Sequence, residues 1–289
     1  MSFREKLRSG KFMVTSEIGP PKGIDTKQVI EEAEIIRNRV DAFNVTDLQS
    51  SVLRLGSLVV SSILREKGLE PIYQLTCRDR NRLALQSDLL SAAALGIENI
   101  LILTGDHTTA GDHPEAKPVF DLDSVQLLQA ASMLKNGSDL KGNRLTGKHP
   151  DFYLGAVVNP GADPLEPEII KMEKKISAGA EFFQTQAVYD LKVFEDFLKK
   201  VRHLNTKILA GIVILKSATM ARYMNENVAG VVVPEVLIKE MEEAKDKTAK
   251  AIEIASSLIK KLRPMCDGVH IMPIGLGRLL PEILDACGL

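Results

Sequence analysis

Short apolar runs that stop at polar turn residues recur along this chain, with helical patterns between them. The unit is clearest at residues 98–107, ENILILTGDH. Ile100 to Leu103 are apolar without a break, and the run ends at Thr104, Gly105 and Asp106. So short a run of Ile and Leu reads as a strand buried on both faces, as in a parallel sheet covered by helices. Upstream, residues 81–95 form an Ala/Leu-rich helical pattern stopped by Gly96, where a left-handed cap is expected. The same order of helix, glycine, buried strand and polar turn predicts strands at 12–18 (FMVTSEI), 42–45 (AFNV), 71–75 (PIYQL), 152–158 (FYLGAVV), 181–185 (EFFQT), 207–215 (KILAGIVIL) and 269–274 (VHIMPI).

The intervening segments carry helix signals. Asp25, with Gln28 three positions on, reads as a capping box opening a helix with Val29, Ala33, Ile36 and Val40 on one face. Val52, Leu55, Val59 and Ile63 mark the next helix. Asp123 and Asp190 are N-cap candidates further on, and Pro234 suits the first turn of a helix ending near Glu243. The residues before 138 and after 150 are patterned, but 138–150 is polar and reads as a loop. Strand–helix alternation repeated about eight times, at a spacing of roughly 30 residues, is the pattern of an α/β chain forming a (β/α)8 TIM barrel, expected here as a single domain over 1–289. A doubly wound sheet is the alternative. Against it, no strand leads into G-x-G-x-x-G; Gly275-Leu276-Gly277 lacks the third glycine and reads as a turn.

A net charge of −1 disfavours a polyanion-binding surface, so nucleic acid is not an expected partner. No apolar run approaches the roughly 20 residues needed to cross a bilayer. The first residues, MSFREKLRSGK, lack an apolar signal core, so a cytoplasmic location is expected. Cys77, Cys266 and Cys287 are far apart and in no paired-ligand spacing, which fits a reducing compartment and gives no zinc framework. With aromatics at 4% and Trp absent, a flat ligand would be held by hydrogen bonds and aliphatic faces.

In such barrels the active site lies at the C-terminal ends of the strands. Read in order, those ends offer Glu17, Thr46, Gln74 with Thr76, Thr104 with Asp106, Asn159, Gln184 with Gln186, and Lys216, and Arg278 follows the last strand. Amides and hydroxyls dominate, which suits a polar heterocycle better than a phosphosugar. Glu17 ends an apolar strand before Gly-Pro-Pro. A carboxyl held against apolar walls has its charged form disfavoured, so it can serve as a general acid. The competing reading is a strand-end glutamate paired with a lysine. Asp106 has its own competing reading, a turn aspartate that caps backbone N–H groups. His107, Asp112 and His113 lie on a loop without fixed ligand spacing, so solvated histidines are favoured over a metal site. One of Gln184 and Gln186 could serve only to satisfy buried backbone groups.

These residues resemble the methylenetetrahydrofolate reductase family over nearly the whole chain, in its bacterial form that has only the catalytic domain, or the related subunit of acetogenic bacteria. The matching stretches are Ser16-Glu17-Ile18-Gly19-Pro20-Pro21, Asn44-Val45-Thr46, Leu75-Thr76-Cys77, Leu103-Thr104-Gly105-Asp106, Ala178-Gly179-Ala180 leading to Thr185-Gln186, and Leu276-Gly277-Arg278. The resemblance implies a flavin, FAD rather than FMN, that reduces 5,10-methylenetetrahydrofolate to 5-methyltetrahydrofolate, with NADH or NADPH as electron donor. It implies Glu17 as general acid and Asp106 as the carboxylate near flavin and folate. Gln186 and Arg278 would bind substrate. Thr46, Gln74, Thr104, Gly105, Asp106, Asn159, Glu168 and Lys175 fall at or near its flavin contacts.

There are departures from the family pattern. Gln74 stands where bacterial members have histidine, and Thr104 where they have arginine, which removes flavin contacts including a phosphate partner. Ala187 and Val188 replace two phenylalanines. Met220 and Met224 stand where a glutamine and a nicotinamide-stacking phenylalanine are expected. That altered donor surface suggests electrons arriving through a partner subunit of a redox complex instead of directly from NAD(P)H; otherwise a homo-oligomer is expected. Two further alternatives are a pterin-binding methyltransferase barrel without flavin and a barrel that has lost turnover.

Overall fold

The computed structural model describes residues 1–289. Its strands are β1 (Met13–Ile18), β2 (Ala42–Val45), β3 (Pro71–Thr76), β4 (Asn99–Leu103), β5 (Tyr153–Val158), β6 (Phe182–Ala187), β7 (Lys207–Val213) and β8 (Gly268–Met272). They close in chain order into a parallel barrel, and β8 returns to β1 with Thr15 opposite His270. Helix α1 (Phe3–Arg8) precedes the barrel. The others are α2 (Lys27–Ile35), α3 (Ser57–Glu66), α4 (Arg82–Ala94), α5 (Ser124–Lys135), α6 (Glu166–Ser177), α7 (Leu191–Val201), α8 (Ala218–Asn227), α9 (Glu235–Glu243), α10 (Lys247–Leu262) and α11 (Leu280–Cys287). The expected (β/α)8 barrel is the fold observed, and no helix is long and apolar enough to cross a membrane.

Strand parity builds two different environments. Outward residues such as Val14, Phe43, Tyr73, Ile100, Leu154, Phe183 and Val269 are buried with the helices in one large apolar cluster. At the N-terminal end of the barrel, the inward residues Met13, Ala42, Ile72, Leu101, Tyr153, Phe182 and Leu209 pack with Phe3 and Leu7 of α1 in a separate cluster. Apolar residues on both faces are why the runs read without a break. Barrels of this class ordinarily continue such filling with branched side chains. Here it stops after one layer, and Thr15, Asn44, Gln74, Gln184 and His270 are buried above it. Across the interior, Asn44 Nδ2 donates to Gln184 Oε1 at 2.6 Å and Gln184 Nε2 donates to Asn44 Oδ1 at 3.1 Å. This reciprocal pair satisfies both amides, and Gln184 belongs to it rather than to the backbone. Asn44→Leu orphans a buried amide and is expected to lose about 1–3 kcal/mol, whereas Asn44→Leu with Gln184→Leu recovers most of that loss. Urea unfolding midpoints of the single and double variants check this.

Three readings need correction. Helix α1 is not expected from the sequence; six residues carry too little periodicity, but a capping box between Ser2 and Glu5 fixes it. Its Phe3 ring meets Tyr153 and Phe182 edge-on. Helix α2 starts one position later than expected. Thr26 is its N-cap, the Asp25 carboxylate accepts only from Lys27 N at 3.0 Å, and the Gln28 amide goes to Glu32 at 2.9 Å. Helix α3 begins only after Gly56, so Val52 and Leu55 lie in the preceding loop. There, Leu48, Ser50 and Ser51 have positive φ, which no helix accommodates. Val59 is 48% exposed, and the buried face is Val60, Ser61 and Leu64.

Candidate active site

The C-terminal strand ends surround a cavity of about 420 Å³. Glu17, Thr46, Gln74, Thr104, Gly105, Asp106, Asn159, Glu168, Lys175 and Gln186 all line it. Arg278 does not. It is exposed on a short turn after β8, beyond Ile274 (φ 44) and Gly275 (φ 79), where the chain bends away. The cavity also takes in Asp47, Gln49, Arg78, Lys171, Met272 and His270, which the sequence pattern does not single out as site residues.

Glu17 is largely buried, its side chain 11% exposed. No lysine pairs with it. Gln49 Nε2 donates to Oε1 at 2.9 Å, and His270 Nε2 lies 4.0 Å from Oε2. Burial pushes its carboxyl up to about 7, against the smaller opposing effect of the Gln49 bond. Burial pushes His270 the other way, down to about 3, so its ring is neutral. A carboxyl that holds its proton near neutral pH can donate it.

The loop after β4 supplies Asp106. Gly105 has φ +89, and a Cβ there would lie 3.0 Å from the Thr76 Cβ, so glycine lets the backbone lie flush against the end of β3. The Asp106 carbonyl accepts from Arg78 Nη1 at 3.1 Å. Its carboxylate caps no backbone N–H and stays exposed at the rim. Further along, the Asp112 carboxylate accepts from Leu53 N at 3.0 Å, Lys22 Nζ at 2.7 Å and His113 Nδ1 at 2.9 Å. His107 Nδ1 is engaged with Thr109. Asp112 thus latches this loop to the one after β2. At Gly111, a Cβ would fall 1.8 Å from the Ser51 carbonyl oxygen, so only glycine allows that approach.

On the opposite wall, β6 has a bulge between Gln184 and Ala187. Thr185 Oγ1 bonds both sides of it, donating to the Gln186 carbonyl at 2.7 Å and accepting from Gly211 N at 2.9 Å. Bulges re-aim side chains next to active sites, and this one presents Gln186 at the cavity. Asn159 is tied at both ends of its amide, donating to the Ala229 carbonyl at 2.9 Å and accepting from Gly161 N at 3.2 Å. Lys175 Nζ donates to the Val157 carbonyl at 2.5 Å, and burial pushes its ammonium down to about 8.

Below Thr46, Asp47 is fully buried. It accepts from Thr76 N and Oγ1, both at 2.9 Å, and from Ser57 Oγ at 3.2 Å, and it pairs with Arg80 at 2.7 Å. The Thr46 hydroxyl beside it is buried and has no partner. A buried hydroxyl on a cavity wall without a partner is a place for a ligand atom. Met220 and Met224, by contrast, do not reach the cavity; they pack into an apolar cluster of α8, α9 and α10.

Several proteins resemble this chain, some in sequence and others in fold. A Schizosaccharomyces pombe protein named methylenetetrahydrofolate reductase 2 is 27% identical over 99% of this chain and 47% of its own length. A Caenorhabditis elegans protein named probable methylenetetrahydrofolate reductase (NADPH) is 22% identical over 86% of this chain and 36% of its own. The chain therefore spans less than half the length of these relatives. Among solved structures, a Clostridium thermocellum protein described as binding two copies of 5-methyl-5,6,7,8-tetrahydrofolic acid superposes with a TM-score of 0.70. It is 17% identical, with 99% of this chain and 98% of that one covered. A 2,3-dimethylmalate lyase superposes at 0.55 with 11% identity, covering 99% of this chain and 87% of its own, which is a likeness of fold. The family model described as methylenetetrahydrofolate reductase matches residues 2–288, and the chain belongs to that family.

Proposed function

We propose that this chain reduces 5,10-methylenetetrahydrofolate to 5-methyltetrahydrofolate, using a flavin seated in the barrel mouth. The observation that carries the reading is Glu17: a buried carboxyl, raised to about 7, on the wall of a cavity lined by amides and hydroxyls. Family membership supplies the reaction class.

The residues present fit a flavin. The unpartnered Thr46 hydroxyl, Gln74, and the backbone at Thr104 and Gly105 offer hydrogen bonds along one wall. Lys171 lines the cavity on the same helix as Glu168 and would offer positive charge to an anionic group. A bound reduced flavin would supply the hydride. The protein's own part is proton and charge management. Glu17 gives its proton to N10 of the folate as the C–N bond to the methylene carbon breaks, leaving a cation at N5. The exposed Asp106 carboxylate offsets that cation as it develops. Gln186, with its free amide nitrogen, meets the pterin edge. Arg278 would reach the folate only if the turn after β8 folded inward on binding.

Purified protein is expected to be yellow, and the nucleotide released on denaturation identifies FAD or FMN. Thr46→Val is expected to weaken flavin retention about tenfold, read by fluorescence of released flavin, since it removes about one hydrogen bond. A colourless protein that still binds folate would favour the flavin-free methyltransferase reading. For the donor, the inward packing of Met220 and Met224 supports reduction through a partner subunit of a redox complex. Stopped-flow mixing with NADH or NADPH decides it, because rapid bleaching assigns the donor to the nicotinamide.

A further inference from the structure

Arg78 follows the end of β3 and lines the cavity, yet its side chain is only 1% exposed. A guanidinium so deeply buried needs partners for its hydrogens, and it finds them in three places. Nε and Nη2 donate to the Asp79 carboxylate at 2.8 and 2.7 Å. Nη2 also donates to the Leu48 carbonyl at 3.2 Å, in the loop after β2. Nη1 donates to the Asp106 carbonyl at 3.1 Å, in the loop after β4. The Arg78 carbonyl accepts from Val119 N at 2.7 Å, so the loop after β4 is pinned to residue 78 at both ends. Gly105 permits the approach: a Cβ there would lie 3.3 Å from the Arg78 Cβ.

The two carbonyls belong to residues next to the chemistry. Leu48 has φ 46 and precedes Gln49, which donates to Glu17. Asp106 carries the exposed carboxylate at the rim. We infer that Arg78 is a positioning residue: its planar guanidinium binds the loops after β2 and β4 into one rim, and so fixes where Gln49 meets Glu17 and where the Asp106 carboxylate stands. Arginine suits this task because its rigid fork serves a carboxylate along one edge and carbonyls beyond it, whereas a lysine ammonium is a single point. The seam continues outward, where the Asp112 carboxylate accepts from Leu53 N and Gly111 closes on the Ser51 carbonyl.

The inference rests on the proposed roles of Glu17 and Asp106 for its effect on rate, but the rim itself can be read without turnover. Arg78→Lys keeps the charge and can still pair with Asp79, but it cannot hold both carbonyls. Amide hydrogen exchange followed by mass spectrometry is expected to quicken about tenfold in 48–53 and 104–119 together, with the barrel strands unchanged, because each loop loses one hydrogen bond to a charged donor. Asp79→Asn leaves the guanidinium in place but weakens its anchor. It should give a smaller rise in the same two segments, and it carries the test if Arg78→Lys does not fold. In single-turnover methylene reduction, Arg78→Lys should be slower by about tenfold. Most of that loss should vanish when Asp106→Asn is already present, since the carboxylate to be positioned is then gone while the backbone carbonyl remains. Exchange that rises in neither loop, in one alone, or throughout the barrel overturns the inference, as does an equal slowing with and without the Asp106 carboxylate. If exchange responds as expected but no methylene reduction is found, the proposed function fails while the clamp stands.

Discussion

Glu17→Gln is expected to slow methylene reduction by about 10²–10⁴-fold while folate and flavin binding change little. The amide keeps the shape and can still accept from Gln49, but it has no proton to give. Single-turnover oxidation of the pre-reduced protein by methylenetetrahydrofolate measures the step directly; an unchanged rate would remove Glu17 from the mechanism. The rate of that step in the native protein should be high below pH 7 and fall as Glu17 loses its proton above it. The same substitution has a stability consequence with a definite sign. A carboxyl whose folded value is raised from 4.5 to about 7 binds more proton folded than unfolded in that window. Stability therefore falls as pH rises from about 4.5 to about 7 and is level above. Relative to Glu17→Gln, the native protein should be less stable at pH 8 by about 3 kcal/mol, an upper figure because the loop carrying Gln49 can relax.

Asp47→Ala is expected to lose about 3–5 kcal/mol, the largest stability loss among substitutions around the cavity. Asp47 is fully buried and gathers Thr76, Ser57 and Arg80 around one carboxylate. Removing it leaves a guanidinium that is only 20% exposed facing Tyr73 and Asp88, and leaves the Thr76 N–H without an acceptor. Denaturant unfolding measures the loss. Because Thr46 and Thr76 flank the site, flavin retention should weaken in the same variant. Asp47→Asn, which keeps an acceptor for Thr76, should lose less than Asp47→Ala.

The elements legible in the amino-acid sequence are those whose signal is local. Each strand buries one face against helices, so its outward residues are apolar, and a polar residue marks its end. That is enough to place Glu17, Thr46, Asp106 and Gln186 on one rim. What the sequence hides depends on partners distant in the chain. His270 reads as a lone polar residue in an apolar run; only closure of the barrel sets it beside Thr15 and Glu17. Asp47 reads as a turn residue until Arg80 folds over it. Val52 and Leu55 fall at helical spacing by chance, on a loop whose left-handed residues preclude a helix. Arg278 follows the family motif, but the bend at Ile274 and Gly275 directs it outside the cavity.

Helix α1 closes the far end of the barrel with Phe3 and Leu7. The result is a blind vessel, and nothing can leave by a back door. The open strand ends are then the one approach to the cavity, and any small molecule that binds there would have to cross that rim.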